Sequence, residues 1–414
     1  ELECIVLRRV IARKAMAAVL LGTFSFSFAG GPLLGSAVAE SADKVYNQPT
    51  LPAIPGLVIS PSDPLQKLTA RSAVVMDSVS GQILYERDMN ARRFPASTTK
   101  IMTLILALEK GNLDDIVTVG GNAAGAEGST LWLEKGDKIP LRELLTGMMM
   151  HSGNDATIAV AEHIAGSVPV FARMMTEKAQ ALGAKDTNFV NPNGLPDDNH
   201  YTTAHDLAVI ASYGYSLPEF ESIVGRQEAS YDWVKDPAKK FRNENQMLWL
   251  YRGSNGVKTG YTEKAGRCLV SAAKRDGMQL VAVVLDSIYM WNDSIALLDY
   301  GFAQATPETL VKAGEVVTKV DVADARQGKL ELKAADSLVA AHKTGCSSKI
   351  EKKLDIPKEV AAPVKQGDVV GKVVCYCDGE KKTSVDLVAA EDVERHTIWM
   401  SLHEWVQNLT KGLF

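Results

Sequence analysis

The chain has 414 residues, which is long for one ordinary domain and fits two or three. A hydrophobic content of 46% is that of a globular protein and excludes a disordered one. Lysine and arginine total 45 against 50 aspartates and glutamates; with a net charge of −5 there is no basic footprint, and no nucleic-acid partner is expected.

The first 39 residues predict an export signal. Arg8, Arg9, Arg13 and Lys14 form a basic start, Ala15 to Ala29 is apolar, and Gly30-Gly31-Pro32 interrupts it. Ala37-Val38-Ala39 then offers a small-x-small cleavage site before Glu40. An uncleaved anchor is the alternative, against which Pro32 and its glycines are poor spanning material. Residues 40–67, with Pro49, Pro52, Pro55, Pro61 and Pro64, read as an extended linker.

From 68 to 305 the pattern predicts a mixed α/β (α+β) domain, a sheet with a cluster of helices. Ala70 to Met76 and Gln82 to Glu86 read as a hairpin. Pro95 introduces a helix whose apolar run, Ile101 to Leu108, ends at Lys110-Gly111. Further helices are expected over Leu141–Met150, from a polar cap at Asn154 or Asp155 to Gly166, over Pro169–Leu182 and over Thr203–Tyr213. Leu269–Ala273 and Gln279–Asp286 read as apolar strands around Lys274-Arg275-Asp276-Gly277, and Trp291 to Ala303 as a closing helix.

Residues 306–394, with short segments such as Val316–Val322, Lys329–Lys333 and Val369–Tyr376, predict a small all-β domain. In residues 395–414, Ile398, Trp399, Leu402, Trp405, Val406, Leu409 and Leu413 share an arc of about 120° on a helical wheel. Such a helix reads as lying in a membrane interface. Of five cysteines, Cys4 belongs to the signal and Cys268 to an apolar strand. Cys346 could form a disulfide with Cys375 or Cys377 in an oxidising compartment, and the pairing is left open; the C-x-C spacing argues against a zinc site with His342. No metal and no cofactor is expected.

Three short pieces carry chemistry: Ser97-Thr98-Thr99-Lys100, Ser152-Gly153-Asn154 and Lys258-Thr259-Gly260. The letters alone are weak, because Ser-x-x-Lys recurs at Ser41 and Ser271 and Lys-Thr-Gly at Lys343. Ser41 lies in the linker, Ser271 and Lys274 point to opposite faces of a strand, and Lys343 sits in a polar connection of the β domain. Only Ser97 opens a helix, where Lys100 returns to the same face and the N-terminus favours developing negative charge. A serine hydroxyl needs a base, and a lysine serves only when neutral. Burial and a second cation, Lys258, would both lower Lys100. Ser152 suits a proton relay, Asn154 a brace for Lys100 and a substrate amide, and Lys258 with Thr259 an anchor for a substrate carboxylate.

These residues resemble those of the serine D-alanyl-D-alanine carboxypeptidases, the low-molecular-mass penicillin-binding proteins. The resemblance runs from Leu68 to Gly301 and includes Pro95-Ala96-Ser97-Thr98-Thr99-Lys100, Ser152-Gly153-Asn154-Asp155-Ala156, Asn191-Pro192-Asn193-Gly194-Leu195 and Gly256-Val257-Lys258-Thr259-Gly260-Tyr261-Thr262. It implies removal of the terminal D-alanine from peptidoglycan stem pentapeptides through an acyl-enzyme at Ser97, and acylation of that serine by β-lactam antibiotics. The amides of Ser97 and Tyr261 would form an oxyanion hole; some members add a carboxylate-binding arginine upstream of the Lys-Thr-Gly strand, a role left open here between the nearby Arg242 and Arg252. The export signal and the tail helix together predict a place in the periplasm or on the outer face of the cytoplasmic membrane. A class A β-lactamase is one alternative, but no Glu-x-x-x-Asn lies between Ser152 and Lys258. A non-catalytic sensor or scaffold of the envelope is the other.

Overall fold

The computed structural model describes residues 60–234, 240–325 and 328–396. The export signal, most of the linker and the tail helix from residue 397 lie outside these residues.

Five antiparallel strands form the central sheet: β1 (Ser72–Asp77), β2 (Ile83–Arg87), β3 (Ser254–Thr262), β4 (Gly266–Arg275) and β5 (Met278–Ser287). Their order is β2-β1-β5-β4-β3, which leaves β3 on one edge. The β4–β5 hairpin is longer than its apolar run, because ladder pairing continues from Ala273↔Leu280 through Lys274↔Gln279 to Arg275↔Met278.

Among the described residues six helices of eleven or more residues accompany this sheet: α1 (Lys100–Lys110), α2 (Leu141–His151), α3 (Asn154–Ala165), α4 (Val168–Ala181), α5 (Ala204–Gly214) and α6 (Met290–Gln304). Every residue of α1 from Lys100 to Ala107 is buried, so this helix has no solvent face over two turns and sits at the centre of the helical cluster. β1 is buried on both faces. Val74 and Met76 join the core shared with α1 and α5. Val75 points the other way and meets α6 at Gly301, where an added Cβ would lie 2.6 Å from Val75 Cγ1.

Local chemistry sets the helix ends. Thr203 caps α5 by accepting the Asp206 amide at 3.0 Å. The polar cap expected for α3 is absent: Gly153 precedes the helix, and Asp155 turns to the amides of Leu131 and Leu133. Residues 60–67 are not the extended linker expected from their prolines. The Asp63 carboxylate accepts from Arg87 at 2.7 Å and from the Tyr85 hydroxyl at 3.0 Å, which pins this segment to β2.

Beyond α6 the chain turns all-β: β6 (Ala305–Val311), β7 (Val316–Ala323), β8 (Lys329–Ala334), β9 (Leu338–Lys343), β10 (Ile350–Asp355), β11 (Glu359–Ala361), β12 (Val369–Cys377) and β13 (Glu380–Ala389). Six make a sheet of order β10-β12-β13-β8-β7-β11, and β6 pairs with β9. Their core holds Val320, Leu330, Leu332, Val373, Cys375 and Leu387. Arg395 continues this domain by bridging Ala325 and pairing with Asp324 at 3.3 Å.

Two expectations are corrected here. The described cysteines are all free: Cys375 points into the apolar core, whereas the Cys346 thiol lies by a turn, 3.1 Å from Ser348 Oγ. Lys343 does not sit in a polar connection; it ends β9 and reaches the central sheet, its Nζ donating to the Ile83 carbonyl at 3.1 Å.

Candidate active site

The three motifs converge at one end of α1. Ala96–Thr99 forms a 3-10 turn that leads into α1, so Ser97 precedes the helix and Lys100 begins it. Ala96 is held at φ 48° and Ser152 at φ 62°, a left-handed backbone that costs a non-glycine residue energy and that surrounding structure must enforce. Two glycines supply that structure. A Cβ on Gly194 would stand 1.8 Å from the Ala96 carbonyl oxygen, and one on Gly260 would stand 3.0 Å from the Ser97 nitrogen. The serine backbone is thus held between the 191–195 loop and edge strand β3, with no room for a side chain at Gly194 and only a tight fit for one at Gly260.

Lys100 Nζ donates to Ser97 Oγ at 2.9 Å, to Asn154 Oδ1 at 2.7 Å and to the Asn193 carbonyl at 2.9 Å. Asn154 is oriented by its own Nδ2, which donates to the Glu127 carbonyl at 2.6 Å. Lys100 is fully buried; desolvation, and then the charge of Lys258, hold it well below the usual lysine range. Lys258 is buried too and is pulled down to about 8 by desolvation, against which Glu244 acts. Its Nζ lies 3.4 Å from Thr259 Oγ1 and 3.9 Å from Glu244 Oε2.

Of the residues read from sequence, Ser97, Lys100, Asn154, Lys258, Thr259 and Gly260 come together here. Ser152 is buried at the left-handed turn between α2 and α3 and is not among the acceptors of Lys100. Tyr261 follows Gly260 on β3 with an exposed side chain. Arg242 lies over the Trp249 ring at 4.5 Å, and Arg252 is exposed. The ion-pair contact of Lys258 is with Glu244, which also lines a cavity of about 330 Å³ with Arg242, Asn243, Gln246, Trp249 and Leu250.

Sequence reasoning missed three further contributors. Asn193 acts through its carbonyl, which the loop presents because the Asn191 side chain accepts the Gly194 amide at 2.7 Å and donates to Leu195 at 2.9 Å. His200 fastens the same loop to the serine turn: Nδ1 accepts the Val190 amide at 3.1 Å, so the proton sits on Nε2 and is donated to Thr99 Oγ1 at 2.8 Å. Burial pulls its pKa down to about 4 and keeps the ring neutral. Asp155 spends its carboxylate on the amides of Leu131, Leu133 and Ala156, which ties the covering loop to the start of α3. The paired Asn and Pro of the 191–195 stretch was the available signal for the first of these; Glu244 and His200 carried none.

Residues 58–288 match the family of D-alanyl-D-alanine carboxypeptidases, and residues 306–395 match the C-terminal domain of penicillin-binding protein 5. The D-alanyl-D-alanine carboxypeptidase DacF of Bacillus subtilis is 35% identical over 79% of this chain and 86% of its own length. DacA of Haemophilus influenzae, of the same description, is 34% identical over 84% and 91%. The crystal structure of penicillin-binding protein 5 from Haemophilus influenzae aligns with a TM-score of 0.56 at 32% identity, covering 82% of this chain and all of that one. The fold is therefore the penicillin-binding protein fold followed by its β domain.

Proposed function

This chain belongs to the D-alanyl-D-alanine carboxypeptidase family, and on that premise we propose that its Ser97 removes the terminal D-alanine of peptidoglycan stem peptides through an acyl-enzyme. Lys100, whose proton affinity is lowered by burial, takes the Ser97 proton in its neutral form as Oγ attacks the carbonyl between the two D-alanines. The oxyanion that forms is held by the amides of Ser97 and Tyr261. Ser152 passes a proton to the departing amine, free D-alanine leaves, and water then releases the shortened peptide. Lys258 and Thr259 bind the substrate carboxylate, and Asn154 its amide. β-Lactams, which carry an amide and a carboxylate in a comparable arrangement, acylate the same serine.

The observation that carries this reading is the 2.9 Å approach of a fully buried lysine amine to Ser97 Oγ, with a second buried lysine in the same cleft. Mass spectrometry of the protein treated with benzylpenicillin is expected to find the adduct on Ser97. Ser97→Ala is expected to abolish both the adduct and D-alanine release from a D-Ala-D-Ala peptide; release that survives this change assigns the nucleophile elsewhere.

The site so read belongs outside the cytoplasmic membrane, consistent with the signal read in residues 1–39. Among the described residues no helix is long and apolar enough to cross a membrane. Attachment is assigned to the amphipathic stretch at residues 395–414, and a chain ending before Arg395 is expected to stop pelleting with membranes.

A further inference from the structure

We infer that Glu244 is a positioning residue that sets the charge of both cleft lysines and thereby the pH range in which the site works on an anionic substrate. This rests on the proposed carboxypeptidase reading and deepens it.

The geometry is specific. Glu244 follows the short strand Phe241–Arg242, and its amide donates to the Met150 carbonyl at 3.0 Å, near the end of α2. One carboxylate oxygen lies 3.9 Å from Lys258 Nζ and the other 3.8 Å from His151 Nδ1. At 3.9 Å the lysine contact is one of charge rather than a hydrogen bond. A family resemblance would put a second cation near Lys258 for the substrate; the charged group 3.9 Å from its Nζ is an anion.

The charged groups facing one another are few. Lys258 on β3 faces Glu244 and Lys100. Lys100 on α1 faces Lys258, Asp155 of α3 and, at longer range, Glu244. Glu244 faces Lys258 and His151 of α2. Asp155 is committed to three backbone amides. Among the described residues Glu244 is therefore the acid paired with Lys258; its own side chain is 40% exposed while that of Lys258 is 1% exposed.

The two lysines have opposed duties. Lys100 must shed its proton to serve as base, whereas Lys258 must keep its own to hold a carboxylate. The working range lies between the two events. Glu244 favours the protonated form of both, so neutralising it moves both events to lower pH. It also removes a negative charge that faces an incoming carboxylate.

The test is the pH profile of kcat/KM, from pH 5 to 10, for D-alanine release from a D-Ala-D-Ala-terminated peptide. Glu244→Gln keeps the shape and removes the charge. Its acid and alkaline limbs are both expected to move down by about one pH unit, with a lower KM at pH 6 and about a ten-fold loss at pH 9. Glu244→Ser must give the same movement, and Glu244→Asp must restore limbs close to wild type. Limbs that superimpose on wild type, with or without a uniform fall in rate, overturn the inference and leave Glu244 a structural residue. A folded wild-type protein that releases no D-alanine at any pH instead overturns the reading on which the inference rests.

Discussion

The cleft and the β domain use charge in opposite ways. In the cleft Lys100, Lys258 and Asp155 are all but removed from water; Lys100 and Asp155 are each met by three polar groups, and Lys258 by Thr259 and Glu244. The β-domain core of Val320, Leu330, Leu332, Val373 and Leu387 is apolar, and ion pairs such as Lys319–Glu331 at 2.9 Å and Lys372–Asp386 at 3.1 Å lie at its surface. Buried ions make a site reactive by shifting proton affinities, but desolvation opposes their contribution to stability. Apolar burial does the reverse. The molecule thus keeps reactivity and cohesion in different regions, and substitutions should separate them.

The largest effect is expected at the base. Lys100→Met should lower D-alanine release by about 10³-fold or more, while its Tm falls less than that of a β-domain core variant, because a desolvated polar amine leaves with the activity. Steady-state kinetics and calorimetry on one preparation check both halves. Leu332→Ala should show the converse pattern. It opens a cavity at a fully buried site and costs about 2–5 kcal/mol in chemical denaturation, with kcat/KM per folded molecule unchanged.

A smaller effect is expected from the loop that serves the cleft. His200 has a folded-state pKa near 4 against an ordinary 6.5, so the unfolded chain binds a proton between these values and the folded one does not. Stability from this group is complete above about pH 6.5 and declines as pH falls toward 4, by roughly 2–3 kcal/mol. The difference in denaturation midpoint between wild type and His200→Gln should narrow across that window. The smallest effect belongs to the surface pairs: Lys319→Ala should leave both Tm and activity indistinguishable from wild type, because its salt bridge is open to solvent.

Much of this was legible in the chain because it is local. Ser97 and Lys100 share one turn, and apolar periodicity marked α1, α2 and the β4–β5 hairpin within a few residues. What escaped notice depends on contacts distant in sequence or on the backbone. The Asn193 carbonyl reaches Lys100 across 93 positions, and its own side chain has no part in the bond. Glu244 matters through a charge 3.9 Å away in space, for which no periodicity exists. Lys343 carried a motif yet serves to fasten β9 to the central sheet, since identical letters acquire meaning only from what the fold sets beside them. Cys346 and Cys375 looked like partners by compartment, but a strand that turns Cys375 inward gives it apolar company instead.

The three bonds of Lys100 carry one more consequence. An ammonium group has three protons for three acceptors; the neutral amine has two protons and a lone pair. The Asn193 carbonyl and Asn154 Oδ1 can only accept, the latter because its amide nitrogen is engaged with Glu127. Ser97 Oγ, the third neighbour, is the one that can turn from acceptor to donor. When Lys100 loses its proton, the two remaining N–H groups stay with the asparagines and the lone pair faces the serine hydroxyl. Deprotonation therefore aims the base as well as creating it.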